Sequence, residues 1–279
     1  EPEQQTSPRR VPVLDGLLAQ INEVHPAGEQ GVCNAVSLIG AAGGVGTTTI
    51  TATLARISSR RGSKVLLLDS AEESIIPLYL GAGQTASKAS SNLSLLPRPE
   101  SLDGAISMIV CGGQNQEGAA TSPWSRARSV SGVAGDVFID SGSHLYHGGS
   151  LEEAGETTCV IVLVPDIRCV LQVRRIEKTF ADRGATAAPL YLLNRFEPGN
   201  SLHQQVRATL ANYLGARLAP VAIRNASEIP EALSEGLTVI DSAPGSPVAA
   251  DFAEVSGWLR TAATPAQSLR SHEAAAGLA

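Results

Sequence analysis

Aromatic side chains make up only 4% of the 279 residues, and methionine occurs once. A core must therefore be packed from Val, Leu, Ile and Ala, which suits sheets and helices in close layers. No excess of positive charge exists: Lys and Arg number 21 against 27 Asp and Glu, a formal net charge of −6. The whole molecule then has no long-range attraction for nucleic acid or for anionic lipid. No apolar run approaches the roughly 20 residues of a membrane span. The opening Glu1-Pro2-Glu3-Gln4-Gln5 is polar and acidic, unlike a signal peptide. Cysteines are few and scattered (Cys33, Cys111, Cys159, Cys169), with no C-x-x-C pair and no histidine at metal-ligand spacing. They read as reduced thiols of a cytoplasmic protein, with disulfides or metal ligation as the competing reading. His144 and His147 form the one close histidine pair, in a Gly/Ser-rich stretch that suits a loop better than a metal site.

What is present is an alternation of apolar runs with helical stretches. Residues 1–31 read as a flexible segment, with apolar residues from Val13 to Val24 at three- and four-residue steps suggesting a short amphipathic helix. Residues 32–260 read as one domain and 261–279 as a flexible tail. Strands are expected at Val36–Gly40, Lys64–Asp69, Asn92–Leu96, Asp136–Asp140, Cys159–Val164, Pro189–Asn194 and Arg217–Val221, and a helix at Thr47–Arg60. Residues 111–135 read as a surface loop or a poorly ordered helix. Continuous apolar strands separated by helices specify an α/β fold, a mostly parallel twisted sheet with helices on both faces. Ligands of such sheets bind at the carboxyl ends of the strands. The glycine loop, Asp69, Asp140 and Asn194 all fall there.

The loop runs Gly40-Ala41-Ala42-Gly43-Gly44-Val45-Gly46-Thr47-Thr48-Thr49. Gly43, Gly44 and Gly46 permit a tight path that turns consecutive N–H groups toward phosphate oxygens, with the positive end of the following helix behind them. Close packing of a strand on a helix is the competing use of such glycines. Thr48 stands where a P-loop places its Mg²⁺-ligating hydroxyl, and Thr47 where the loop lysine would stand. Asp69 and Asp140 close apolar strands and can reach Mg²⁺ directly or through water, or else cap a neighbouring turn. Asn194 can offer a donor and an acceptor to a base edge, or form a turn. Loss of a phosphate-facing cation typically costs about 10²–10³ in rate, so binding is expected to outlast fast hydrolysis.

On these residues the chain resembles the deviant Walker A ATPases of the MinD/ParA family. The loop of that family reads K-G-G-x-G-K-[ST]-[ST]; here Ala42 and Thr47 hold the lysine positions, and Ala71 replaces a second acid implicated in hydrolysis. Gly43-Gly44-Val45-Gly46-Thr47-Thr48-Thr49 through Ala52, and Pro230–Val239 with Ser242-Ala243-Pro244, resemble the BcsQ (YhjQ) proteins of bacterial cellulose secretion, which also carry threonine for the loop lysine. Those loops often have Arg where Ala42 stands. The likeness spans about residues 34–260. It implies ATP with Mg²⁺ as cofactors and a loop contact from Gly43, Gly44, Val45, Gly46, Thr47, Thr48 and Thr49. It further implies an adenine contact from Asn194, metal ligation by Thr48, Asp69 and Asp140, and a catalytic part for Asp140. A sandwich homodimer is implied, with subunits of the cellulose synthase complex at the inner membrane as partners. Neither nucleic acid nor direct membrane insertion is expected. The location implied is cytoplasmic, with recruitment to the inner membrane or pole through partners. A ParA- or CpaE-like ATPase, with Arg56, Arg168 or Arg195 as substitute cation, and a nucleotide-free scaffold are the alternatives.

Overall fold

A computed structural model describes residues 34–69, 75–81, 106–110, 135–142, 157–182, 185 and 187–276. The expected helix at Val13–Val24, the strand at Asn92–Leu96, the loop 111–134, Ala71, Cys33, Cys111 and the His144/His147 pair lie outside them. Six parallel strands, β1 (Asn34–Gly40), β2 (Val65–Asp69), β3 (Ile106–Val110), β4 (Asp136–Asp140), β5 (Thr158–Leu163) and β6 (Leu190–Leu193), form one sheet in the order β3-β2-β4-β1-β5-β6. The helices are α1 (Thr47–Arg60), α2 (Ile76–Tyr79), α3 (Ile167–Asp182), α4 (Ser201–Leu214), α5 (Glu228–Ser234), α6 (Val239–Ser242) and α7 (Pro247–Ala276).

The side chains alternate across the sheet as a strand's two-residue period demands. Val36 and Leu38 of β1, with Val160 and Val162 of β5, pack under α1 and α7 together with Ile50, Leu54, Phe252 and Val255. Ile39 of β1, with Cys159, Ile161 and Leu163 of β5, packs on the other face against Val173, Ile176 and Phe180 of α3 and Leu210 of α4. Both faces are covered, which is why the strands read as unbroken apolar runs. Cys159 and Cys169 are buried inside this second layer outside any disulfide, and burial pushes the Cys169 thiol up to about 12. Such a thiol stays protonated and behaves as a small apolar side chain.

One sequence expectation needs revision, and one strand was not foreseen. The run Arg217–Val221 is not a strand: a short 3₁₀ turn covers Gly215–Arg217, and Leu218 makes a single bridge to Tyr191. Pro220 has no N–H to extend that ladder; Ala219 N–H donates to Tyr191 O, Ile223 N–H beyond the run donates to Leu193 O, and the Arg217 guanidinium lies 5.8 Å from the centre of the Tyr191 ring. Conversely, Ile106–Val110 pairs with β2 as the outermost strand of the six. α7 continues past residue 260 to Ala276. Among the described residues, no helix is long and apolar enough to cross a membrane.

Candidate nucleotide site

β1 lies between β4 and β5, while the chain leaving it crosses through α1 to β2 on the β4 side. A crevice opens where such connections diverge, at the strands' carboxyl ends. The glycine loop fills that position. Its backbone is anchored by Gly40 N–H donating to Gly142 O at 2.6 Å and Ala41 N–H to Val162 O at 3.0 Å. Gly44 and Gly46 take φ of 73° and 92°, the left-handed region that glycine enters without Cβ strain. Gly43 and Gly44 are exposed, and nothing lies within 4 Å of where either would carry a Cβ. α1 begins with Gly46 as its N-cap and no side-chain cap, whereas α4 is capped by Asn200, which accepts from the N–H groups of Leu202 and His203. The first turn of α1 thus keeps its donors for whatever sits on the loop.

Thr47, in the lysine position, is buried, with Oγ1 only 2.8 Å from where a Cβ on Gly40 would lie. Its hydroxyl folds inside the loop, a placement that sequence spacing did not reveal. Thr48 points to the strand ends: its hydroxyl hydrogen-bonds the Asp140 carboxylate, which also accepts from Gly142 N–H at 3.0 Å. Asp69 and Asp140 are register partners on adjacent strands and both are buried. Thr49 bonds the Tyr79 hydroxyl at 2.7 Å, tying the loop to α2, and Gln172 of α3 reaches Ala41 O at 3.4 Å. Asn194 closes the loop from β6: its Nδ2 donates to Val45 O at 2.8 Å and packs against Gly46.

Two of the three alternative cations have other occupations. Arg56 is buried and ion-paired to Asp241, and the exposed Arg168 to Asp166. Arg195, next to Asn194, takes a left-handed φ of 55° and is exposed. Arg174, Arg175 and Lys178 form the solvated side of α3, opposite buried Val173, Ile176 and Phe180.

The donor set fits a hard divalent cation. One hydroxyl and two buried carboxylates offer oxygen ligands, with water and phosphate able to complete the six of Mg²⁺. Oxygen donors of this kind suit Mg²⁺ rather than a thiophilic metal. Burial pushes the Asp140 carboxyl above its ordinary range, while the Thr48 and Gly142 bonds pull it back. Between that raised value and the ordinary value of about 3.9 the folded chain holds a proton that the unfolded chain releases, so metal-free stability rises as pH falls through this window. Cation binding needs the carboxylate and moves the opposite way. The Mg²⁺-dependent part of ATP affinity is expected to weaken as pH falls into the raised titration range of the Asp140 carboxyl. Asp140→Asn should flatten that dependence; an unchanged slope in the variant would remove Asp140 from the metal site.

Residues 36–239 match the family described as the CobQ/CobB/MinD/ParA nucleotide binding domain. The chain belongs to that family. A comparison with curated protein sequences gives no match. Among solved structures, the septum site-determining protein MinD complexed with Mg-ADP from Pyrococcus horikoshii is 18% identical with a TM-score of 0.64, over 84% of this chain and 99% of that one. The MinD cell division protein of Aquifex aeolicus is 15% identical with a TM-score of 0.63, over 82% and 97%. A putative plasmid partition protein from Borrelia burgdorferi, bound to AMPPNP, is 12% identical with a TM-score of 0.61, over 84% and 99%. At these identities the likeness establishes the MinD/ParA fold, in agreement with the parallel sheet expected from sequence.

Proposed function

We propose that the chain is an ATP-binding assembly factor whose output is nucleotide-gated dimerisation, with little or no hydrolysis, and that it serves assembly or localisation of the bacterial cellulose synthase complex. The carrying observation is the loop itself: an open Gly43-Gly44 cradle above a Thr48–Asp140 pair, with Thr47 turned inward where a lysine would face phosphate. Thr48 and Asp140 would hold Mg²⁺, with Asp69 beside them; the ion would neutralise phosphate charge that no loop lysine offsets. Backbone N–H groups of Gly43 to Thr48 would bind the phosphates, and Asn194 would hold the loop in shape for them. Without an ammonium at Thr47, charge developing on a transferring phosphoryl group is poorly met, and turnover suffers more than affinity.

Dimerisation through the loop face is supported by what borders it. Ile167 and Leu171, 74% and 60% exposed, lie on α3 near Gln172, and exposed Ile75 and Leu78 flank Tyr79. Large aliphatic side chains grouped around an open ligand site are a common mark of an interface. The cellulose role rests on the lysine-free loop and the 230–244 run, both of which resemble BcsQ proteins.

Sedimentation with and without Mg-ATP, run beside a phosphate-release assay, tests the reading. A dimer formed only with ATP, and release at the buffer background, is the expected result. A monomer under every condition would overturn it, and steady release abolished by Asp140→Ala would move the chain to the cycling ATPases. In the native cell, cellulose export lost on deletion and restored by the intact chain supports the pathway; unchanged export removes it.

A further inference from the structure

Three consecutive threonines open α1, and each is placed differently. Thr47 is buried inside the loop, Thr48 bonds the Asp140 carboxylate, and Thr49 bonds the Tyr79 hydroxyl. A helical threonine commonly turns its hydroxyl back to the carbonyl four residues earlier. Thr51 and Thr53 do so, donating to Thr47 O at 2.9 Å and to Thr49 O at 2.7 Å. The corresponding carbonyl for Thr49 is Val45 O, and there Asn194 Nδ2 donates at 2.8 Å. The Thr49 hydroxyl instead meets Tyr79, 2.7 Å away on a different element.

Tyr79 is well seated for such a contact. It is buried together with Ile76 and Leu80 on the inner side of α2. The turn at Gly236 backs the same helix: a Cβ there would lie 3.5 Å from Leu78 O. Burial raises the phenol above its ordinary range, the Thr49 bond draws it back, and the Asp140 charge adds to the rise, so the hydroxyl keeps its proton. Each of the two hydroxyls has one hydrogen to give, and a phosphate oxygen only accepts. With phosphate on the loop, Thr49 can donate to it and keep the Tyr79 bond only if Tyr79 donates to Thr49.

We propose that Tyr79 is a positioning residue of the nucleotide site: by donating to Thr49 Oγ1 it holds that hydroxyl off the helix backbone and leaves its hydrogen for a phosphate oxygen on the loop. The role rests on the nucleotide reading above and extends that site to a residue outside the glycine loop. Hydrogen bonds in a chain polarise one another, and here the chain ends on an anion that no loop lysine meets.

Calorimetric titration of the full chain with Mg-ATP, run as a double-mutant cycle, tests the role. Tyr79→Phe keeps the buried ring and should weaken ATP at least about fivefold, the worth of one hydrogen bond. Thr49→Val should cost as much or more. Tyr79→Phe/Thr49→Val should cost no more than Thr49→Val alone, because Tyr79 acts through that hydroxyl. Thr49→Ser, which restores a hydroxyl, should recover most of what Thr49→Val loses, and with it the effect of Tyr79→Phe. In chain labelled with ¹³C on the tyrosine rings, the Tyr79 Cζ resonance should move at saturating Mg-ATP, and this movement should vanish in Thr49→Val. A lowered unfolding midpoint in Tyr79→Phe with the parent's ATP affinity would make the residue structural only and overturn the inference. Losses that add in the double variant, or an unmoved Cζ in the parent, would also overturn it. A parent chain that binds no ATP removes the nucleotide reading and this role together; binding by the parent with no effect of Tyr79→Phe removes the role alone.

Discussion

Asp241→Ala is expected to lower the stability of the fold by about 3–5 kcal/mol, the range for breaking a buried ion pair from one side. Arg56 lies inside the molecule, its side chain 3% exposed, and its Nε donates to both Asp241 oxygens at 2.8 and 3.0 Å. Thr238 donates to the same carboxylate at 2.8 Å, and Arg60 approaches at 3.1 Å. Removing the carboxylate leaves a desolvated guanidinium, whose cost exceeds anything the pair contributed. Half-exposed Arg60 adds little, because water screens it. In a domain of this size the midpoint of thermal unfolding should fall by roughly 6–20 °C. The double variant Arg56→Met/Asp241→Leu should recover most of that loss, since two apolar side chains carry no stranded charge. A single variant within about 2 °C of the parent would show that water reaches the pair.

Gly46→Ala is expected to abolish most nucleotide affinity while leaving the fold in place. Its φ of 92° is costly for any L-residue, about 1–2 kcal/mol in the left-handed region. The added Cβ would also lie 2.4 Å from Asn194 Nδ2, forcing that side chain off Val45 O. Loop and helix start would both shift where the phosphate must sit. A loss of at least about 30-fold in ATP affinity follows from strain and displacement together. Gly46→Ala/Asn194→Ala relieves the collision but not the backbone strain, so it should recover only part. Gly62→Ala is the control: it has a similar φ of 86° with nothing within 4 Å, at the opposite end of α1. It should cost about 1 kcal/mol of stability and leave affinity unchanged. Equal affinity loss in both variants would mean that backbone strain, not the loop, is being measured.

How far the sequence led can be seen residue by residue. Thr47–Arg60 was legible as the helix behind the loop because a buried strand, three glycines and a periodic apolar face agree locally. Asp69 and Asp140 were legible as strand-end acids, but their placement as register neighbours needed the strand order. Ile106–Val110 was overlooked: five residues at the sheet edge, with a serine among them, give a weak signal. Arg217–Val221 misled because an apolar run with Pro220 inside it looks like a strand until its ladder partner is known. Arg56 reads as one more cation on a helix, and only its meeting with Asp241, 185 positions on, buries it. Asn194 shows the same limit. Its bond to Val45 spans 149 positions, and no local pattern announces it.

The central claim is that a lysine-free loop still binds nucleotide through backbone donors and Mg²⁺. Calorimetric titration of the full chain with ATP, in the presence and absence of Mg²⁺, tests it most directly. Saturable one-to-one binding that strengthens at least about tenfold with Mg²⁺, and that Gly46→Ala removes, is the expected result. No heat at millimolar ATP with Mg²⁺, or binding indifferent to both the metal and Gly46→Ala, would contradict it.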